Sequence, residues 1–178
     1  LLNIDDFEVV LSEGFDNSQD NTNLDYSGWV NFAEQGTELW TEQVYNGNGY
    51  TEFSAYRTFE DVNIGWLVTP GFDLTGSTNS FINFKLAQHH LDDDQNNTLE
   101  VFISNDFDGS NVLAATWNKL SVQIPNMSNS WYAFQDSGLI DVSSYEGTIY
   151  IGFKYVGSGT NTSLDGGYFV DDILFLKK

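Results

Sequence analysis

The residues best equipped for chemistry in this chain are carboxylates, and two of them stand side by side. Asp171 and Asp172 interrupt the otherwise apolar, β-prone run Gly166-Gly167-Tyr168-Phe169-Val170-Asp171-Asp172-Ile173-Leu174-Phe175-Leu176. Strict alternation sends Val170, Asp172 and Leu174 to one face and Phe169, Asp171 and Ile173 to the other, so one Asp points toward the core. A buried, unpaired carboxylate is costly. Only six Lys plus Arg stand against 26 Asp plus Glu. A hard cation with oxygen ligands answers the same need, and calcium is the expected cofactor. If the first and last strands are neighbours, Glu13 of Glu13-Gly14-Phe15-Asp16 joins Asp171 and Asp172 in a metal site. The alternative is that both Asp stand in water at a strand end.

Two other acidic loops are candidate ion sites: Asp92-Asp93-Asp94-Gln95-Asn96-Asn97, through Asp92 and Asp94, and Asp106-Phe107-Asp108-Gly109-Ser110-Asn111, through Asp106 and Asp108. The second resembles a fragment of a calcium loop without the bidentate Glu that would complete an EF-hand. Either reads equally well as a solvated turn. The loops bracket a strand and so cannot share one ion. No catalytic constellation emerges. His89-His90 lack a third His, no Ser sits in a nucleophile elbow, and no glycine-rich phosphate loop opens a helix. Among 26 carboxylates a glycosidase pair is trivially available, which empties that observation.

The aromatic residues divide by context. Trp29, Trp40 and Trp66 lie in apolar runs and read as core, whereas Tyr45, Tyr50, Tyr56, Trp131 and Tyr132 stand near turns or polar neighbours, where a flat ring can meet a sugar. In Phe81–His89, Ile82, Phe84 and Leu86 share one face, with Asn83, Lys85, Ala87 and His89 on the other. In Ile149–Tyr155, Ile149, Ile151 and Phe153 are apolar partners, with Tyr150 and Lys154 opposite. Lys85, His89, Tyr150 and Lys154 are therefore expected on one outer sheet face. Arg57, the only arginine, and Tyr56 would stand at its rim. Such a cationic patch suits an anionic polysaccharide, neutral glycans on Tyr50, Tyr56 or Trp131 being the competing choice. Simple pairing of each cation with a nearby acid is the bland alternative.

Positioning these groups requires strands. Helical periodicity is nearly absent, and short alternating runs recur between Gly, Asn, Asp and Ser clusters. Strands are expected at 7–11, 29–33, 38–44, 50–57, 65–69, 80–88, 98–104, 117–124, 131–140, 148–156 and 168–176, a count that suits an all-β jelly-roll sandwich of two antiparallel sheets. Residues 1–6 read as a linker remnant and 7–178 as one domain of a larger exported protein, with other domains of that protein as partners. The net charge of −20 disfavours nucleic acid and anionic membrane, and no run of 18 apolar residues is present. There is no cysteine, hence no disulfide framework and no thiol chemistry.

The order of motifs carries a resemblance. Glu13-Gly14-Phe15, Gly28-Trp29, Trp40, Gly47-Asn48-Gly49-Tyr50 leading into Phe53-Ser54-Ala55-Tyr56, Trp66-Leu67-Val68-Thr69-Pro70 with Phe72-Asp73-Leu74, and Val170-Asp171-Asp172-Ile173 together resemble the choice-of-anchor J domains. These are similar to the cleaved adhesin domains of bacterial proteases and, more distantly, to MAM domains. The resemblance spans about residues 7–176. It implies a jelly roll with structural calcium, Glu13 and the Asp pair being the matching acids. It also implies an extracellular or cell-surface module of a bacterial secreted protein with no shared catalytic machinery. The expected function is a non-catalytic carbohydrate-binding or adhesive module whose partner is a polysaccharide or cell-surface glycan. A glycan-active enzyme and a structural or protein-interaction spacer are the alternatives.

Overall fold

The computed structural model describes residues 4–178; Leu1, Leu2 and Asn3, part of the expected linker remnant, lie outside them. Ile4–Asp6 form a 3-10 turn. The strands are β1 (Glu8–Glu13), β2 (Thr22–Asn23), β3 (Val30–Gln35), β4 (Thr41–Tyr45), β5 (Asn48–Ser54), β6 (Asn63–Val68), β7 (Phe72–Asp73), β8 (Ser80–His89), β9 (Thr98–Ser104), β10 (Asn118–Lys119), β11 (Gln135–Asp136), β12 (Ile140–Asp141), β13 (Thr148–Gly157) and β14 (Gly167–Lys177). They form two antiparallel sheets. The first has the order β11-β8-β14-β5-β4-β2, with β1 also on β14 and β12 also on β8. The second runs β10-β9-β13-β6-β3, with β7 also on β13.

The inner faces interleave period-2 apolar residues: Ile82, Phe84 and Leu86 of β8 and Tyr168, Val170, Ile173 and Phe175 of β14 against Ile149, Ile151, Phe153 and Tyr155 of β13. Phe84 meets Phe153 edge-on at 5.2 Å, and Phe53 stacks on Tyr155 at 4.4 Å. Trp40 is fully buried here, as expected. Trp29 packs half-buried on this core at 5.5 Å from Phe15. Trp66 is also buried, but on the outer face of the second sheet.

Two expected strands are mostly not ladders. Within 117–124 only Asn118–Lys119 pair, although Leu120, Val122 and Ile124 keep their alternation and pack on the core. Within 131–140 the pairing is confined to β11 and the first residue of β12. Tyr132 has φ +63°, incompatible with a strand, and the segment before β11 folds over the outer face of the first sheet.

The last strand overturns one expectation. Its register slips between Asp171 and Leu174, and Asp172 has φ +48°. One extra residue shifts the alternation, so Val170 and Ile173 both point inward and neither Asp does. The slip coincides with a change of partner: β14 pairs β5 through Val170 and β1 from Ile173 onward. The carboxylates therefore sit at a seam where one edge of the strand has no continuous neighbour.

Candidate functional site

At the seam, the Asn48 amide donates to Asp171 Oδ2 at 2.9 Å and the Asp172 N–H donates to Asp171 Oδ1 at 2.7 Å. Lys85 Nζ donates to Asp172 Oδ2 at 2.6 Å. The partner demanded by the sequence is thus supplied by an ammonium and two N–H donors. Asp171 is only 2% exposed, and burial pushes its carboxyl up to about 6. Glu13 pairs in register with Ile173 and accepts the Phe15 N–H at 2.7 Å. Burial raises it, and Asp16 raises it further. Glu13, Asp16 and Asp172 line one cavity of about 550 Å³.

The other acidic loops are stitched turns. Asp106 Oδ1 accepts from Ser104 Oγ and from the Thr116 N–H, and Asp108 Oδ1 from the Ser110 and Asn111 N–H groups. Asp94 accepts from Gln95 and Met127. These donors hold all three carboxyls below their ordinary range. Asp92 is exposed and lines a cleft instead. Among the described residues no three His, Asp or Glu stand close enough to hold an ion, and the partners of both loops are N–H and O–H groups, in keeping with the solvated-turn alternative.

The expected cationic face does not exist. Lys85 and His89 belong to β8 in the first sheet, Tyr150 and Lys154 to β13 in the second. Parity holds within each strand, but the outer faces of two sheets point in opposite directions. Lys154 lies over Trp66 at 5.1 Å and pairs with Glu34 at 3.2 Å. Tyr150 meets Phe107 edge-on at 5.0 Å. Arg57 covers the ring of its neighbour Tyr56.

What the fold builds instead is an aromatic cleft of about 790 Å³ on the outer face of the first sheet. Alternation on β5 presents Tyr50, Glu52 and Ser54, and β14 adds Phe169 between β5 and β8. Tyr50 packs on Phe169 at 4.5 Å. The segment before β11 forms a wall: Tyr132 stacks on His89 at 5.5 Å and Trp131 lies on His90 at 4.0 Å. Tyr56 lines the opposite side. Burial pushes the Tyr50 phenol up to about 12, with Glu52 and Asp20 adding to it, so at neutral pH it remains a hydrogen-bond donor. Glu38, Glu52, Asp92 and Asp165 supply carboxylates; neither Lys nor Arg is among the lining residues. Asp165 is raised by burial and by Asp92, with His90 and His89 opposing.

Of the sequence candidates, Tyr50, Tyr56, His89, Asp92 and Tyr132 meet in this cleft, and Trp131 backs its wall. Glu52, His90, Asp165 and Phe169 also line the cleft and are not among the binding residues expected from the sequence. The period-2 step from Tyr50 to Glu52 is a usable signal, whereas nothing in the sequence locates Phe169 beside Tyr50.

No protein-family model matches the chain, and no curated protein matches it. Solved structures do match. A cleaved adhesin domain of Lys-gingipain from Porphyromonas gingivalis is 15% identical, with a TM-score of 0.57 over 93% of this chain and 96% of that one. The chain shares its fold with the cleaved adhesin domains. A carbohydrate-binding module described as recognising mannan specifically is 12% identical, with a TM-score of 0.50 over 97% of this chain and 98% of that one. The enzymatically active domain of a bacteriophage CBA120 tailspike is 14% identical, with a TM-score of 0.52 over 90% of this chain and 21% of that one.

Proposed function

We propose that this chain is a non-catalytic glycan-binding module of an exported bacterial protein, related to the choice-of-anchor J and cleaved adhesin domains, and that it holds a neutral polysaccharide in the aromatic cleft. One observation carries the reading: an open cleft in which Tyr50, Phe169 and Tyr132 offer ring surface beside hydrogen-bonding groups from Glu52, Ser54 and Asp165. Sugars present apolar C–H faces and a hydroxyl fringe, and such a mixture matches both. The carboxylates and the lack of lining Lys or Arg weigh against uronic or sulfated chains. Likeness to a mannan-recognising module supports the same class.

Native gels containing mannan, a soluble β-glucan, a uronic polysaccharide or a sulfated one test this, alongside a reducing-sugar assay. Retardation by a neutral glycan, little affected by salt and without product, is expected. Product formation, or retardation by the anionic glycans alone, refutes it.

We further propose structural calcium at the seam. The donor set of Glu13, Asp16 and Asp172, with Asp171 beside it, is all hard oxygen and carries one ammonium, Lys85, so its chemistry fits that ion. Lys85 is the counter-ion of Asp172 and no three of these acids converge among the described residues, so calcium would have to displace that ammonium and draw the carboxylates together. Calcium should raise the melting temperature and chelator lower it, a folded-state ligand adding about 2.7 kcal/mol at a hundredfold excess over its Kd. Identical melting in both, with metal content verified by elemental analysis, removes this proposal.

A further inference from the structure

The chain has two histidines, and both meet at the end of β8. His90 adopts φ +53°, which no strand continuation would allow. The two Nδ1 atoms are 2.8 Å apart, with the rings nearly perpendicular at 86°. Two imidazole nitrogens at that distance share a single proton: one donates and the other accepts. His89 Nε2 lies 2.8 Å from Glu52 Oε1. A carboxylate only accepts, so Nε2 carries a hydrogen. In neutral His89 the Nδ1 is then the acceptor, and the His90 Nδ1–H donates to it. The relay runs from His90 through His89 to Glu52.

Each ring also backs one residue of the cleft wall. His89 is stacked on Tyr132 with planes 14° apart, and His90 lies on Trp131. The opposite backbone leaves room for this. A Cβ on Gly167 would fall 2.1 Å from His89 Nε2, and one on Gly166 would fall 2.6 Å from the His90 carbonyl oxygen. Apart from its ring contacts, the wall is tied to β8 by the Tyr132 N–H, which donates to the Gln88 carbonyl at 2.8 Å.

We propose that the His89–His90 pair is a positioning element that sets the attitude of the Trp131–Tyr132 wall, and through it the grip of the cleft on a glycan. The second half of this rests on the glycan-binding reading above. The groups facing the pair are Glu52 from β5, Asp92 from the same turn, Asp165 from the loop before β14, and the Tyr132 phenol from the wall. The Glu52 carboxylate holds His89, His89 holds His90, and the two rings together hold Tyr132 and Trp131.

The test compares wild type, Trp131→Phe and His90→Asn. Asn tolerates the left-handed backbone and keeps a donor near Nδ1, but removes the ring beneath Trp131. The Trp131 emission, taken in each background as the difference from the matching Trp131→Phe variant, should be quenched more strongly by acrylamide once His90→Asn has removed the ring beneath it. Equal quenching in the two backgrounds overturns the positioning role. Retardation in mannan and soluble β-glucan gels is then compared at neutral pH. Affinity should fall about threefold to tenfold in His90→Asn, the worth of one aromatic contact. Equal retardation of wild type and His90→Asn, with the quenching changed, overturns the link to binding. If neither gel retards the wild type, the glycan reading fails, and the quenching alone still decides the positioning role.

Discussion

The two outer faces of the sandwich start from the same material and end differently. Both expose aromatic rings from alternating strand positions. On the second sheet, the loop between β9 and β10 folds back and lays Phe107, Val112 and Trp117 over Trp66, Phe102 and Val68. Trp66 is left 4% exposed, its Nε1–H donating to Glu34 at 2.7 Å. Gly152 permits the cap, since a Cβ there would sit 3.0 Å from the Trp66 ring. On the first sheet, the segment before β11 stops at one side and becomes a wall, leaving Trp131 52% and Tyr132 54% exposed. An aromatic on an outer face thus says little about ligands until it is known whether another segment covers it.

The sharpest way to break this comparison is to remove the cap. Trp66→Ala should cost about 3–5 kcal/mol, measured by urea denaturation, because it deletes a buried ring packed on Phe102 and Trp117. Glycan retardation of the folded fraction should be unchanged. A loss under about 1 kcal/mol would mean that the cap is loose and the faces are alike.

On the cleft face the stored cost is electrostatic and lies at Asp171. Its folded value of about 6 exceeds the ordinary 3.8, so between those values the native state binds more protons, and stability falls as pH rises. The gap of about two pH units is worth at most about 3 kcal/mol. In chelator, Asp171→Asn should match wild type near pH 3.5 and exceed it at pH 7, as followed by thermal melts across pH. Parallel pH curves for the two proteins contradict this.

Tyr50→Ala separates binding from stability. It should weaken neutral-glycan retardation about tenfold while costing less than Trp66→Ala, because Tyr50 is half-buried on an open face. The smallest effect is expected from Lys85→Ala with Lys154→Ala. Both are paired, on opposite sheets, and stability should drop by about 1 kcal/mol or less, with neutral-glycan binding intact. A large loss of binding would restore a role for cations.

Much of the architecture is legible in the sequence because apolar alternation is a local property. The strands at 80–88, 98–104, 148–156 and 168–176, the burial of Trp40 and the facing of Lys85 and Lys154 on their own strands all follow from period 2. Alternation does not say which sheet a strand joins, and so it brings Lys85 and Lys154 together when β8 and β13 stand back to back. It also assumes no bulge: with Val170 inward Asp171 already faces out, and the extra residue at Asp172 turns that second carboxylate away from the core as well, a choice made where β14 changes partner from β5 to β1.

By itself, then, the sequence determined an acidic two-sheet sandwich, its main strands and the need for Asp171 and Asp172 to find donors, because composition and period act within a few residues. Only the tertiary structure decided that Lys85 and Asn48 supply those donors, that one aromatic face is sealed and the other open, and that Tyr50, Glu52, His89 and Phe169 share a cleft. Those outcomes depend on contacts between residues far apart in the chain, such as Asn48 with Asp171, which are fixed by strand order and not by any local pattern.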